Sequence, residues 1–199
     1  MTAEHGTGYA AHAFDFDGTL VDTADLKHHC VQASLAHHGI TVSLAWVAAT
    51  FDRFPPELSA SRLRQLLDLT PARLPDDTYV ACARDYWFAN ADLIRPIAAA
   101  RTAAHDAART AAVAVVSANQ SDIVRHTLRV IGLDDLPWTI VGREHTPVTK
   151  PAPDCYLHAA RLLGVDPGRC LAYEDSDAGV TAARAAGMDV IDVRLRSWK

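Results

Sequence analysis

The chain has 199 residues, 49% hydrophobic and 22% charged, which is ordinary for a soluble globular protein with one core domain and a modest insertion. A net charge of −5 leaves no basic surface of the kind that binds nucleic acid. No stretch approaches the roughly 20 apolar residues of a membrane span.

In chain order, residues 1–9 read as a loose tail. Residues 10–16 form a short apolar run that stops at Asp17-Gly18-Thr19, which predicts a buried strand entering a tight turn. Four similar runs follow, at 111–116, 138–141, 170–173 and 189–193. Helical patterns lie between the later ones. Tyr156, Ala159, Ala160 and Leu163 fall on one apolar helix face. Pro153 suits the first turn of that helix and Gly164 its end. The next helix opens at Ser176, a good N-cap, and closes at Gly187. Alternation of this kind predicts an α/β fold with a doubly wound, Rossmann-like parallel sheet.

Residues 24–92 break the alternation. Leu44, Val47, Ala48 and Phe51 fit one helix face, Leu63, Leu66 and Leu67 a second, and Tyr79, Cys82, Ala83 and Tyr86 a third. The expected organisation is therefore a core of residues 10–23 and 93–199, with a small helical cap, 24–92, inserted after the first strand. The four cysteines, Cys30, Cys82, Cys155 and Cys170, form no CxxC pair and read as reduced packing thiols. Residues 1–12 lack a basic region followed by an apolar run. A cytoplasmic location is the expectation.

Four polar segments stand at predicted strand ends, the edge where open α/β sheets bind ligands. The first is Asp15-Phe16-Asp17-Gly18-Thr19-Leu20-Val21-Asp22-Thr23. Two carboxylates beside a metal can divide labour, one attacking while the other handles a proton. The second is Ser117-Ala118-Asn119, where a hydroxyl and amides opening a helix can cradle phosphate. The third is Lys150-Pro151-Ala152-Pro153, a lysine pinned by prolines that can serve as a fixed positive charge. The fourth is Glu174-Asp175-Ser176-Asp177, whose acidic pair offers oxygen ligands to a hard cation such as Mg²⁺.

In this order the four segments resemble those of the haloacid dehalogenase-like superfamily, in its β-phosphoglucomutase-like and fructose-1-phosphate phosphatase-type branch. The likeness covers residues 11–23 and about 113–195, and in the insert is one of architecture. It implies a Mg²⁺-dependent phosphatase of small phosphate monoesters, with sugar phosphates the expected class. Asp15 would be the nucleophile and Asp17 the general acid/base. Ser117 and Lys150 would hold phosphate oxygens, with amides near Gly18 and Ala118, and Asn119, adding contacts. Mg²⁺ would lie between Asp15, the backbone carbonyl of Asp17, Glu174 and Asp175, with Asp175 the safer ligand. In the insert, Arg53, Arg62 and Arg64 are candidate contacts to the rest of the substrate. Thr23-Ala24 and residues 92–96 would be hinges.

Two departures accompany the resemblance. Lys27 stands ten residues after Asp17, where several relatives carry a histidine, and is a candidate substrate contact. The segment Ile94-Arg95-Pro96-Ile97-Ala98 lacks the glycine usual after the proline. A sugar phosphomutase would share the whole catalytic set, and the C-terminal third favours the phosphatase. A dehalogenase needs no second carboxylate, so Asp17 argues against it. A signalling receiver lacks the insert, and a catalytically silent phospho-ligand binder would not need all four segments. The only partner expected is the phosphate ester, and a monomer is compatible with a self-contained core plus insert.

Overall fold

The five apolar runs pair into one parallel sheet. The computed structural model describes residues 8–51 and 56–195. Strands β1 (Ala11–Asp15), β4 (Ala112–Val116), β5 (Thr139–Val141), β6 (Cys170–Glu174) and β7 (Asp189–Asp192) lie in the order β5-β4-β1-β6-β7. All neighbours are parallel, with Asp15 level with Val116 and Phe14 level with Tyr173. The chain runs outward from β1 to β4 and β5, then returns to build β6 and β7 on the other side. The strand order thus reverses beside β1, and the C-terminal ends of β1, β4 and β6 frame the cleft such a reversal opens.

The period-2 pattern of the strands sorts residues between two buried faces. Phe14, Val113, Val115, Leu171 and Tyr173 point to one, against α5 (Ala98–Ala108) and α6 (Ser121–Val130). Ala11, Ala13, Ala114, Val116 and Ala172 point to the other, against α7 (Asp154–Leu163) and α8 (Asp177–Ala185). Alanines on both sides of that second interface, including Ala159, Ala160, Ala182 and Ala183, keep the helices close to the sheet. Gly164 ends α7 in the left-handed conformation and Ser176 caps α8 by accepting from the Gly179 amide.

Between β1 and β4 the chain inserts α1 (Ala24–His37), α2 (Leu44–Phe51), α3 (Pro56–Leu67) and α4 (Asp76–Asn90). Val31, Leu35, Val47, Ala60, Leu63, Leu74 and Tyr79 form an apolar cluster confined to these helices. Leu66, expected on that face, is exposed. The insert also has a footing in the main core through Leu26, Cys30, Ala83 and Trp87. The entering and leaving chains pair as β2 (Val21–Asp22) and β3 (Arg95–Pro96), antiparallel. On α4, Trp87 Nε1 donates to Thr127 Oγ1 of α6 at 3.0 Å, and Arg84 reaches Asp122 at 2.6 Å and also Gln120. All four cysteines are free thiols, and Cys30, Cys155 and Cys170 are buried. Among the described residues no helix is long and apolar enough to cross a membrane.

Candidate active site

The turn after β1 brings the first two acids to the cleft. Asp15 is the last residue of β1, and Asp17 lies just beyond it, bridged to Val21. The Gly18 amide donates to the Val21 carbonyl at 2.8 Å, and the Leu20 and Val21 amides both donate to the Phe16 carbonyl. Gly18 adopts φ +78°, a conformation glycine takes without a steric penalty. A Cβ there would overlap the Asp175 carboxylate, so the turn packs directly on the loop that follows β6.

Lys150, in the segment leading to α7, is the central cation. Its Nζ donates to Asp15 Oδ1 and Glu174 Oε1, both at 2.6 Å, and to the Val116 carbonyl at 3.1 Å. Burial alone would lower the Lys150 pKa, but the charges of Asp15, Tyr156 and Glu174 outweigh it and hold the ammonium well above its usual range. Glu174 ends β6 and is fully buried. Its Oε1 also accepts from the Tyr156 hydroxyl at 2.6 Å, and its Oε2 from Ser176 Oγ at 3.2 Å. Burial, only partly countered by Lys150, pushes the Tyr156 phenol well up, so it remains an O–H donor.

Asp15 carries too much negative company. Burial raises its pKa well above the usual carboxylate range, Glu174, Asp175 and Asp17 add to that, and Lys150 opposes it. Asp175 is raised in the same way, by burial first and then by Glu174 and Asp17. One carboxylate oxygen from each of Asp15, Glu174 and Asp175 lies within 4.8 Å of the others. An all-oxygen, acid-rich set in which Lys150 bonds two of the three carboxylates fits a hard divalent cation, whose charge would relieve both raised carboxylates. Asp175 has the freer carboxylate, because both Glu174 oxygens already accept hydrogen bonds.

Asp17 is held separately. Its Oδ1 accepts from Thr23 Oγ1 at 2.6 Å and pairs with Lys27 Nζ at 3.0 Å, and its Oδ2 accepts from Asn119 Nδ2 at 2.7 Å. The side chain thus turns toward α1 and the β4 loop, outside the three-carboxylate group. Ser117 is buried just past β4, and its Oγ accepts from the Asn119 amide at 3.0 Å. Ala118 is exposed beside it.

The structure therefore gathers Asp15, Asp17, Gly18, Ser117, Asn119, Lys150, Glu174 and Asp175 at one sheet edge, with Lys27 reaching in from the insert. Arg53 lies outside the described residues. Arg62 is exposed beside Gln65, and Arg64 is tied within the insert to the Leu74 carbonyl and Asp76. Two site residues carry roles not expected from the sequence. Thr23 reads in the sequence as part of a hinge and Tyr156 as apolar packing, and the structure brings both into contact with site carboxylates. The signal for Tyr156 was a phenol on a buried helix face, since a buried tyrosine hydroxyl generally finds a partner.

The chain is similar to known proteins over most of its length. The family described as haloacid dehalogenase-like hydrolase matches residues 9–187. The fructose-1-phosphate phosphatase YqaB of Escherichia coli (strain K12) is 32% identical over 189 residues, covering 94% of this chain and 97% of that protein. A HAD family hydrolase from Deinococcus radiodurans R1, solved with bound phosphate and sodium, superposes with a TM-score of 0.65 at 30% identity, covering 92% of this chain and 79% of that one. CbbY from Rhodobacter sphaeroides, in complex with phosphate, shares the fold with a TM-score of 0.80 at 24% identity, covering 92% and 84% of the two chains.

Proposed function

The chain belongs to the haloacid dehalogenase-like hydrolase family and is a phosphoric monoester hydrolase, and on that premise we propose that it is a Mg²⁺-dependent phosphatase of sugar phosphates. The observation that carries the reading is the Lys150 ammonium, 2.6 Å from both Asp15 and Glu174, within a group of three carboxylates at the strand ends. The substrate class follows from the likeness to the fructose-1-phosphate phosphatase.

In this reading an Asp15 oxygen bonds to phosphorus as the ester P–O bond breaks, and the departing oxygen takes a proton from Asp17. Asp17 then removes a proton from water, whose oxygen attacks phosphorus and frees Asp15 and orthophosphate. The two hydrogen bonds that Asp17 accepts and its ion pair with Lys27 keep that carboxylate aimed for the second step. Lys150 offsets the repulsion between Asp15 and a phosphate dianion. Ser117 and the amides near Gly18 and Ala118 receive phosphate oxygens. Mg²⁺ held by Asp15, Asp175, Glu174 and the Asp17 backbone carbonyl would add the remaining positive charge. Phosphoryl transfer asks chiefly for positioning and charge neutralisation, which this arrangement supplies.

Residues 24–92 act as a cap over a core of 10–23 and 93–199. Their own apolar cluster and the β2–β3 pair support that division, and such a cap would exclude water and select substrate. Four free thiols suit a reducing, cytoplasmic setting.

The test is orthophosphate release from a panel of sugar and polyol phosphates, with and without Mg²⁺, for the wild type and Asp15→Asn. Mg²⁺-dependent release that falls by at least about a thousandfold in the variant is expected. No release from any ester, or an active Asp15→Asn, would refute the reading.

A further inference from the structure

Tyr156 belongs to no expected catalytic set, yet it touches the site's central carboxylate. It is fully buried on α7, six residues after Lys150. Its neighbours on that face, Cys155, Ala159 and Ala160, are small and buried, so packing there calls for the ring and gives no reason for the hydroxyl. A buried hydroxyl is costly unless it is hydrogen-bonded. This one donates to Glu174 Oε1 at 2.6 Å, the same oxygen that receives Lys150. The Lys150 ammonium also lies 5.1 Å from the centre of the Tyr156 ring.

We propose that Tyr156 is a positioning residue for the reaction at Asp15, acting through Glu174 on Lys150 and on the divalent-cation ligands. The proposal rests on the phosphatase reading above. One ammonium is shared between two buried carboxylates at equal distance. The phenol meets part of the charge on Glu174 Oε1, so Glu174 does not draw the ammonium away from Asp15. Ser176 holds the other Glu174 oxygen, and the absence of a side chain at Gly179 gives the carboxylate its space. Glu174 is thereby fixed from both oxygens. Removing the hydroxyl leaves Oε1 with Lys150 as its only remaining partner from the Lys150–Tyr156 pair, and loosens the carboxylate beside Asp175.

The test is Tyr156→Phe in the full chain, which keeps the ring and its contact with Lys150. Partners behind metal ligands typically contribute 10–100-fold to affinity or activity. The expected result is a kcat lower by about tenfold with KM within about twofold, and a Mg²⁺ dissociation constant, measured by calorimetry on metal-free protein, weaker by about tenfold. Tm should stay close to that of the wild type. In a Glu174→Gln background the same substitution should add less than about twofold, because a residue acting through Glu174 couples to it. Unchanged kcat and Mg²⁺ affinity in Tyr156→Phe would overturn the proposal. So would a lower Tm with unchanged Mg²⁺ affinity, or an undiminished effect in the Glu174→Gln background. A wild type that releases no phosphate would refute the phosphatase reading, while the calorimetry would still decide the role of Tyr156.

Discussion

Replacing Lys150 by methionine removes the charge and keeps most of the side-chain volume. Asp15 and Glu174 would then face each other without their shared cation, with ligand oxygens within 4.8 Å. At an effective dielectric constant of about 20, unit charges at that distance repel by about 3.5 kcal/mol. This agrees with the roughly 3–5 kcal/mol lost when one partner of a buried ion pair is removed, a large share of a total stability of about 5–15 kcal/mol. Protonation of Asp15 limits the cost. Its pKa is already raised by burial, and Lys150 is the main group opposing that rise, so the variant raises it further. For an acid with a raised folded pKa, the favourable contribution is complete below the unfolded value and fades as pH climbs through the folded value. The penalty of Lys150→Met is therefore smaller at pH 5 than at pH 8. The stabilising rise of the Lys150 pKa itself is lost only above the ordinary lysine range and does not enter this window. Urea unfolding of metal-free wild type and variant at both pH values measures the difference. A loss as large at pH 5 as at pH 8, or no loss at pH 8, would refute the account of the charge cluster.

Two further predictions concern packing. A Cβ at Gly179 would overlap the Glu174 carboxyl group, so Gly179→Ala should lower stability by about 1–3 kcal/mol and reduce turnover. Helix propensity alone would raise stability by about 1 kcal/mol, so the sign of the change in Tm decides between the two. Arg84→Gln breaks the Arg84–Asp122 bridge between α4 and α6, whose side chains are 27% and 53% exposed. Such a pair is worth about 0.2–1 kcal/mol, and a loss beyond about 2 kcal/mol on denaturant unfolding would show that the bridge holds more than a surface ion pair can.

The sheet and its polar strand ends were legible because each strand is an apolar run that stops at a residue with no apolar reading, such as Asp15, Ser117 or Glu174. The insert was harder. On α1 the buried set is Leu26, Cys30, Val31, Ser34 and Leu35, and Ser34 breaks the apolar pattern. Its hydroxyl is satisfied by the Cys30 carbonyl one turn back, at 2.8 Å, which no periodicity reveals. The strands β2 and β3 have two residues each, too short for a period-2 signal. Tyr156 was placed on the correct buried face, but its bond to Glu174 joins α7 to β6 and exists only in the folded chain.

The same limit applies to the first two acids, which share a turn in sequence and part company in the fold. Asp15 is held by Lys150, and Lys150 is held by β4 and β6 through the Val116 carbonyl and Glu174. All of those groups belong to the sheet and the loops at its edge. Asp17 accepts from the core on one oxygen, through Asn119, whose own carbonyl receives the Arg143 amide. On its other oxygen it accepts from Thr23, at the entry to the insert, and pairs with the Lys27 ammonium on α1. Asp15, the proposed nucleophile, is thus set by the sheet and the loops at its edge. Asp17, the proposed acid/base, takes its orientation from core and insert together. A displacement of α1 would move Lys27 and leave Asn119 in place, so Asp17 is the point at which the position of the insert is felt at the site. Lys150 donates to Asp15, the Val116 carbonyl and Glu174, all of them strand-end groups of the sheet, so the cation beside Asp15 does not share that dependence.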